Sequence, residues 1–464
     1  MFAIQVFNTL GRQKQAFEPR VAGEVSMYSC GPTVYKYNHI GNFRSYLMAD
    51  FWVRALDYLG HRVTQVQNIT DVGHLIGDSD DTGEDKVMAA AREEGKPPDQ
   101  IADFYTAAFI EDRDLLRIRP ADHQPRATRF IDEMVDLIQK LEQGGHTYER
   151  GGNVFYDVTT WPSYPSLSGN SLDQLETGHR IAADPDKRHP ADFLLWKAGE
   201  QRRLQIWDSP WGPGFPGWHI ECSAMSLHYF PEGFDIHTGG VDNIFPHHED
   251  EIAQSDAILG HQAVRYWIHG DFLQLDGQKM AKSTGNIIRI ADLTGMGFDP
   301  LAYRFLCMGA RYRVKLSFTE EVLGAAQRGL NSIRQRASRL PLAKAPAGGD
   351  GAAFGQRFSA ALSDDLDLPL VSSLLQELLK SAVTDAEKRW LLEDWDRVLQ
   401  LDLTVAPRQS EEQAPPEALD LARQRDAARA AKDWTQADAL RASLDALGWI
   451  AEDTADGTRL RPKS

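Results

Sequence analysis

The hydrophobic and polar positions near the start of the chain predict a strand, a helix and a second strand in succession. Residues 24–30 (EVSMYSC) predict a short strand, which a glycine and a proline end. Apolar residues recur at helical spacing over residues 42–59, and a glycine follows them. Residues 61–70 predict the second strand. This order predicts a βαβ unit, the beginning of a parallel nucleotide-binding sheet in an α/β protein.

The pattern continues with helices and one irregular stretch. Residues 99–143 are predicted to be helical. Residues 144–215 are rich in Gly, Pro, Ser and aromatic residues and predict an irregular inserted subdomain. Residues 234–237 predict another strand of the main sheet, and residues 246–259 predict a helix after it. From about residue 300 to about residue 402 the apolar spacing is helical.

The last part of the chain predicts a linker and a small separate unit. Residues 403–417 contain three prolines and show little periodicity. Residues 418–464 hold eight acids and eight bases, so this part is neutral in a chain of net charge -17. We therefore expect residues 418–464 to fold apart from the residues before them.

Composition narrows the class of protein. The chain has 464 residues, of which 42% are hydrophobic and 25% are charged, as in globular proteins of roughly two to four domains. It shows no signal-peptide pattern and no run of about 18 apolar residues, so we expect a cytoplasmic protein without a membrane span. Its three cysteines, Cys30, Cys222 and Cys307, are too few and too scattered for a disulfide framework, which fits a reducing compartment.

Charge limits the kinds of partner. The acidic net charge argues against a protein that coats nucleic acid non-specifically. One stretch is locally basic, because residues 311–344 carry eight Lys or Arg and only two Glu. This stretch is either a phosphate-facing surface or a solvated helix face, and charge alone does not choose between them.

Three separate features together suggest a metal site. Cys30 ends the first predicted strand, Cys222 lies in the run GWHIECSAM, and His247 and Glu251 lie four apart on a predicted helix, hence on one face. Two sulfurs, an imidazole and a carboxylate suit Zn²⁺. The wide spacing alone favours two buried structural cysteines, whereas the polar density of residues 237–251 favours a site.

Two nearby residues complicate the metal assignment. His248 is an alternative ligand, because it lies three residues from Glu251 and only one from His247. We favour His247 with Glu251. Cys307 lies in the helical run RFLCMGA and is expected to be a core thiol.

Two other segments are candidates for binding a polyphosphate. The first is the loop HIGN between the first strand and its helix, where open α/β sheets bind ligands and a helix N-terminus favours an anion. The second is KMAKS, in which two lysines three apart suit a polyphosphate clamp. Taken singly, a surface loop with a stray His and a generic basic loop remain alternatives. The residues that carry these signals are His39, Gly41 and Asn42 in the first and Lys279, Lys282 and Ser283 in the second.

Taken together, these segments resemble the class I aminoacyl-tRNA synthetases and, among them, the cysteinyl-tRNA synthetase family. HIGN is similar to the HIGH signature of that class, and KMAKS is similar to its KMSKS signature. Longer runs that narrow the resemblance to the cysteine family are CGPTVYKYNHIGN, NITDVGHL, DFLLWK, PGWHIECSAM, FPHHEDEIAQS and DGQKMAKSTGN. The resemblance continues through DDLDLP and KDWTQADALRASL, so it covers essentially the whole chain.

The resemblance implies a fold and a domain order. Residues 1–300 would form a Rossmann-type parallel-sheet catalytic domain with an insertion at roughly residues 120–205. An α-helical bundle over residues 301–402, the linker at residues 403–417 and an anticodon-binding domain at residues 418–464 would follow. The fold class is therefore α/β, with α-helical and anticodon-binding parts after it.

The resemblance also implies an activity and its residues. A cysteine–tRNA ligase activates cysteine with ATP and Mg²⁺ to cysteinyl-adenylate and transfers it to the terminal ribose of tRNA(Cys). One Zn²⁺ per subunit would select the thiolate, and a single subunit is expected to act alone. The implied contacts are Cys30, Cys222, His247 and Glu251 for zinc, Thr70, Trp218 and His237 for cysteine, and His39, Gly41, Asn42, Lys279, Lys282 and Ser283 for ATP. Of the last group, His39, Asn42, Lys279 and Lys282 would stabilise charge during catalysis.

The sequence departs from the family pattern at three positions, and two other functions are alternatives to the synthetase. Asn42 replaces the second His of HIGH, Ala281 replaces the Ser of KMSKS, and Leu460 stands where members often carry Trp. One rival is the related cysteine ligase of mycothiol synthesis, which has a glucosamine-inositol acceptor; the terminal unit and Glu251 favour the synthetase. The other is a non-catalytic tRNA-binding relative, against which HIGN and both KMAKS lysines argue.

Overall fold

The structure is a computed structural model that describes residues 3–73, 75, 85–172, 185–199, 203–275, 278–279, 288–342, 348–406, 416–454 and 457–462. The chain divides into two units, Met1–Ala406 and Pro407–Ser464. No helix in the described ranges combines the length and the apolar composition that a bilayer span requires.

The strands are short and are distributed over the whole chain. In chain order they are β1 (Gln5–Asn8), β2 (Gln13–Ala16), β3 (Glu24–Ser29), β4 (Arg62–Gln67), β5 (Thr147–Arg150), β6 (Asn153–Tyr156), β7 (Phe193–Ala198), β8 (Gly214–Pro216), β9 (Phe234–Gly240), β10 (Val264–Gly270), β11 (Leu273–Leu275), β12 (Gln278–Lys279), β13 (Leu316–Phe318), β14 (Trp449–Thr454) and β15 (Gly457–Pro462).

The helices lie between the strands in the first unit and dominate its second half. They are α1 (Ile40–Tyr58), α2 (Lys86–Glu94), α3 (Pro98–Leu115), α4 (Ile131–Gln143), α5 (Trp218–Tyr229), α6 (Glu249–Leu259), α7 (Ile290–Gly295), α8 (Pro300–Cys307), α9 (Glu320–Ala337), α10 (Gly349–Ser363), α11 (Leu368–Lys380), α12 (Asp385–Leu399), α13 (Pro416–Ala430) and α14 (Trp434–Ala446).

The main sheet is parallel, with the strand order β10–β9–β3–β4. The helix α1 joins β3 to β4, which confirms the predicted βαβ unit. Leu47 and Phe51 of α1 are buried in the core beside Met27 of β3 and Ile236 of β9. This order brings the carboxyl ends of four strands to one edge, where open α/β sheets bind ligands.

The predicted irregular insertion contains an ordered sheet, so that part of the prediction is wrong. The strands β5, β6, β7 and β8 form an antiparallel sheet in this order. It buries Tyr156, Phe193 and Trp196. Strands of only three to six residues between glycine- and proline-containing turns carry too little alternation to be recognised in a single sequence.

Three helical predictions are corrected by the structure. Residues 99–143 are two helices, α3 and α4, separated by a segment that contains two prolines and a short turn at Ala127–Arg129. The helix predicted from Pro246 begins at Glu249, because a wider turn with an extended Phe245 precedes it. The helical region after residue 300 includes one strand, β13, which pairs with β11.

A buried arginine connects the helical region to α1. Arg304 of α8 is fully buried and donates hydrogen bonds to Asp50 of α1 and to the carbonyl oxygens of Leu116 and Leu399. The charge is therefore paired and its donors are satisfied, as buried guanidinium groups require. This side chain therefore connects the C-terminal ends of α3 and α12 to the middle of α1.

The described part of the second unit, residues 416–454 and 457–462, contains α13, α14 and the antiparallel hairpin β14–β15. Its small core contains Ala418, Leu444, Trp449 and Ala451. Leu460 packs against this core and is partly buried. The residue that departs from the family pattern therefore contributes to the packing of the unit.

Candidate active site

A cavity of about 450 Å³ lies at the carboxyl ends of the four main-sheet strands. The residues that end or follow these strands form its floor, and the N-terminal part of α1 forms one wall. Of the residues singled out in the sequence, the following line the cavity: Cys30, His39, Gly41, Asn42, Thr70, Trp218, Cys222 and His247.

Four side chains in and beside this cavity suit a metal ion. Cys30, Cys222, His247 and Glu251 offer ligand atoms that all lie within 4.8 Å of one another. A hydrogen bond with Cys30, burial and the charge of Glu251 raise the pKa of Cys222 well above that of an ordinary thiol. The bond with Cys222 lowers the pKa of Cys30, but burial and the charges of Glu251 and Asp242 outweigh it, so the pKa of this thiol is also raised. A divalent cation would favour both thiolates, and this donor set fits Zn²⁺.

A second set of potential ligands overlaps the first. Cys30, His237, His248 and Glu251 also bring their ligand atoms within 4.8 Å of one another. His248 Nε2 lies 3.1 Å from Cys30 Sγ, and His237 Nε2 lies 2.8 Å from Glu251 Oε2. His237 is fully buried and lies against Glu251, and it is not among the residues that line the cavity. His248 therefore remains an alternative to His247.

His247 is held in place by a chain of polar contacts that the sequence analysis did not identify. Its Nδ1 lies 2.9 Å from Nδ1 of His219, and Nε2 of His219 lies 3.4 Å from Oδ2 of Asp250. Tyr164 donates to Oδ1 of Asp250 at 2.7 Å. The ring of Trp218 stacks on that of His247 with 4.2 Å between centroids. Outer partners of this kind fix the orientation of a metal-binding imidazole.

A second polar chain crosses the ends of β3, β4 and α5. The N–H of Gly31 donates to Asn68 Oδ1 at 2.8 Å, and Asn68 Nδ2 donates to Thr70 Oγ1 at 3.0 Å. Thr70 in turn donates to Glu221 Oε2 at 3.0 Å. Glu221 is fully buried, and burial raises its pKa well above that of a free carboxyl group although the Thr70 bond lowers it. Gly31 and Glu221 adjoin Cys30 and Cys222, so this chain also ties the two thiols together.

The first nucleotide signature begins α1 with a reciprocal cap. The N–H of His39 donates to Asn42 Oδ1 at 3.1 Å, and the N–H of Asn42 lies 3.2 Å from His39 Nδ1. Asn42 therefore has a defined role at the position where the class signature has a second His. A Cβ on Gly41 would lie only 3.0 Å from Nδ1 of His39. A glycine at this position therefore leaves room for the imidazole ring. The capped helix N-terminus faces the cavity and suits a phosphate.

The second nucleotide signature is described only at its start. The backbone of Lys279 belongs to β12, where Lys279 is paired with Gln274 of β11. Lys282, Ser283 and the departure Ala281 lie outside the described residues.

Four residues that support the site were missed in the sequence: Asn68, His219, Glu221 and Asp250. Their signal was present, because each is a polar residue that adjoins a predicted ligand or ends a buried strand, and each is buried. Buried polar residues need partners, so such positions point to a network even when the partner is unknown.

Comparison with known proteins defines the class. The family described as tRNA synthetases class I (C) catalytic domain matches residues 16–328. A solved structure of methionyl-tRNA synthetase from Mycobacterium tuberculosis, in complex with methionyl-adenylate, superposes with a TM-score of 0.55 at 16% identity. That similarity covers 83% of this chain and 92% of the methionyl enzyme. The fold is that of a class I aminoacyl-tRNA synthetase.

Sequence relatives define the family within this class. The protein of Treponema denticola named Cysteine--tRNA ligase is 40% identical over 98% of this chain and 99% of its own length. The protein of Burkholderia lata named Cysteine--tRNA ligase 1 is 43% identical over 98% of this chain and 96% of its own. The chain belongs to the cysteinyl-tRNA synthetase family, as its motifs predicted.

Proposed function

We propose that this protein is a cysteine–tRNA ligase, which activates cysteine with ATP and joins it to tRNA(Cys). The observation that carries the proposal is one cavity whose lining includes both Cys30 and Cys222 and the capped N-terminus of α1. The two cysteines belong to a donor set that suits a metal able to take a thiolate, and the helix terminus suits a phosphate. Relatives named as cysteine–tRNA ligases over nearly their full length support the proposal.

The reaction has two steps, neither of which needs a protein nucleophile. The cysteine carboxylate attacks the α-phosphorus of ATP, and the bond to the bridging oxygen breaks to release pyrophosphate. A hydroxyl of the terminal tRNA ribose then attacks the carbonyl carbon, and AMP leaves as the hydroxyl proton is lost. We assign to His39, Asn42, Lys279 and Lys282 the stabilisation of charge on the phosphates, with Gly41 and Ser283 in contact with ATP and Mg²⁺ accompanying it.

We propose that Cys30, Cys222, His247 and Glu251 hold Zn²⁺. When bound, the metal would accept the substrate thiolate as a ligand, which a serine hydroxyl cannot replace. The chain's own residues shape the rest of the pocket. Trp218 covers His247, Thr70 presents a fixed hydroxyl to the cavity, and His237 acts through Glu251.

Further assignments concern the tRNA and the setting. We assign anticodon binding to residues 418–464, which belong to the unit Pro407–Ser464, and we expect one subunit to act alone in the cytoplasm. The basic stretch contributes less to a tRNA surface than its sequence suggests. Arg311 pairs with Asp367 and Arg313 with Asp365, both just before α11. Arg334 is buried and pairs with Asp299. The exposed cations of that stretch include Lys315 and Arg339, which remain available to phosphate.

The proposal is tested by incubating the protein with tRNA(Cys), labelled cysteine and ATP and measuring the label on tRNA. Serine in place of cysteine is the control for the amino acid, and an amino sugar in place of tRNA is the acceptor that the mycothiol-type ligase would use. We expect cysteine on tRNA and none on the sugar. Transfer of cysteine to the amino sugar without tRNA charging would favour the mycothiol-type ligase. Absence of cysteine-dependent ATP–pyrophosphate exchange would favour a non-catalytic relative.

A further inference from the structure

We propose that Asp112 is a positioning residue for the ATP-binding N-terminus of α1, acting through the chain segment that enters α7. The inference rests on the proposed function, because it concerns the ATP site of that reaction. Asp112 lies on α3, and its side chain acts entirely through other residues.

The carboxylate of Asp112 holds the start of α7. Asp112 is almost completely buried, at 1% exposure. Its Oδ1 accepts a hydrogen bond from the N–H of Ala291 at 2.9 Å, and its Oδ2 lies 3.5 Å from Nε of Arg289. An N–H in the first turn of a helix has no partner within the helix, so this carboxylate supplies one. Residues 289–291 are therefore fixed against α3.

Arg289 extends the contact to the chain just before the first signature. Its guanidinium lies over the ring of Tyr37, with 3.9 Å between the central carbon and the ring centroid. Tyr37 precedes His39 by two residues, and its ring packs edge-on against Tyr105 of α3 at 5.1 Å. A cation between a carboxylate and an aromatic face is attracted to both. Glu111, which is exposed, also lies 4.0 Å from the guanidinium, so loss of Asp112 removes the buried one of two carboxylates that attract Arg289.

The same segment also reaches α1 directly. The carbonyl oxygen of Ile288 accepts a hydrogen bond from the N–H of Ile40 at 2.9 Å, and Tyr303 donates to the carbonyl oxygen of Ile40 at 2.7 Å. Ile40 lies between His39 and Gly41, both of which line the cavity. The position of Ile288, adjacent to Arg289, therefore sets the position of the loop that is assigned to ATP.

The charge of Asp112 changes within an accessible pH range. Burial raises its pKa to about 6, although Arg289 and the N–H of Ala291 lower it and Glu111 and Asp292 raise it further. Because the pKa of Asp112 is higher in the folded chain than in the unfolded chain, the folded chain binds this proton more tightly. Protonation of Asp112 therefore does not itself unfold the protein. A loss of ATP binding as the pH falls through about 6 would then report the weakened hold on Arg289 and not a loss of the fold.

The test uses Asp112→Asn in the full chain. Asn keeps the shape and can still accept from Ala291, but it carries no charge for Arg289. We expect the KM for ATP in cysteine-dependent ATP–pyrophosphate exchange at pH 7.5 to rise roughly tenfold, as for loss of one ion pair with a buried carboxylate. The KM for cysteine should stay within about twofold, a split that a general loss of structure would not produce. Asp114→Asn removes the same charge from an exposed position on α3 and should leave both values unchanged.

The pH dependence of the ATP KM and two variants of Arg289 test the same role of Asp112. The ATP KM of the unaltered protein should rise as the pH falls through about 6, and that rise should be smaller in Asp112→Asn, where only the other titrating groups contribute. Arg289→Lys, which keeps a cation, should retain more ATP affinity than Arg289→Gln. An unchanged ATP KM in Asp112→Asn, or an equal rise in the KM values for ATP and cysteine, would overturn the role of Asp112. The proposed function would still stand, because it depends on the exchange activity of the unaltered protein. Absence of that exchange in the unaltered protein would instead refute the function itself.

Discussion

Thr70 donates a hydrogen bond to Glu221 across 3.0 Å, and both side chains are buried at the edge of the cavity. Asn68 donates to the same hydroxyl oxygen, so the hydroxyl proton is committed to Glu221 and the rotation of the group is fixed. One acceptor position of the oxygen remains, and Thr70 lines the cavity. The hydroxyl is thus prepared to accept a hydrogen bond from a substrate donor such as the cysteine ammonium.

Thr70→Val should weaken cysteine binding more than ATP binding. The substitution keeps the shape but removes the acceptor and leaves Glu221 and Asn68 without their partner, which should lower the free energy of unfolding by about 1–3 kcal/mol. KM values from pyrophosphate exchange and urea unfolding would measure both effects. Thr106→Val is the matched control, because Thr106 is also buried and its hydroxyl has no hydrogen-bond partner among the described residues. Equal behaviour of the two variants would contradict the role given to Thr70.

Cys222→Ser should lose most of its zinc after dialysis, because a hydroxyl is a far poorer ligand than a thiolate. Metal analysis of the purified protein measures the outcome, and cysteine binding by calorimetry should fall in parallel. Cys307→Ser is the control, since Cys307 is buried in the helical core, where burial raises its pKa to about 11. Full zinc occupancy in Cys222→Ser would remove this cysteine from the site.

The two overlapping ligand sets predict different results for the two adjacent histidines. If Cys222 and His247 bind zinc, His247→Ala should lose metal, whereas His248→Ala should retain it and only loosen the packing around Cys30. Zinc content of the two variants decides between the sets. Loss of metal in His248→Ala alone would transfer the site to His237 and His248.

Removal of residues 407–464 should leave adenylate formation nearly intact and greatly reduce tRNA charging. The first unit has its own large core, and the second has a separate small one, so each can fold without the other. Pyrophosphate exchange and aminoacylation by the shortened protein, compared with the full chain, measure the two steps. Undiminished charging efficiency would contradict the anticodon assignment.

The parts of the fold that sequence could predict are those with long periodic patterns. The helix α1 has apolar positions over five turns and a glycine after it, so its existence and the βαβ unit were evident. The sheet β5–β8 was not, because its strands are too short to show alternation. Tertiary pairing, not local pattern, stabilises such strands.

Sequence likewise predicted some residues of the candidate site and not others. Cys30, Cys222 and His247 stand in long motifs, so a resemblance could nominate them before any geometry was known. The bond between Thr70 and Glu221 joins residues 151 positions apart and has no local signature. The same holds for Asp112, whose partners follow it by 177 and 179 positions and whose own helix shows only an ordinary amphipathic pattern. Such pairs depend on which helices and loops become neighbours, which one sequence does not show.

The strand order of the main sheet has a consequence for the time course of folding. The strand β3 must pair with β9, and Thr238 meets Ser29 across 209 positions of chain. Cys30 follows β3 directly, so the thiols converge only after this distant pairing has closed. A compact zinc finger folds around its metal, but here the metal would enter a sheet that is already assembled. We therefore expect the refolding rate to be the same with zinc or with a chelator, and acceleration by zinc would show that the thiols meet earlier than the sheet requires.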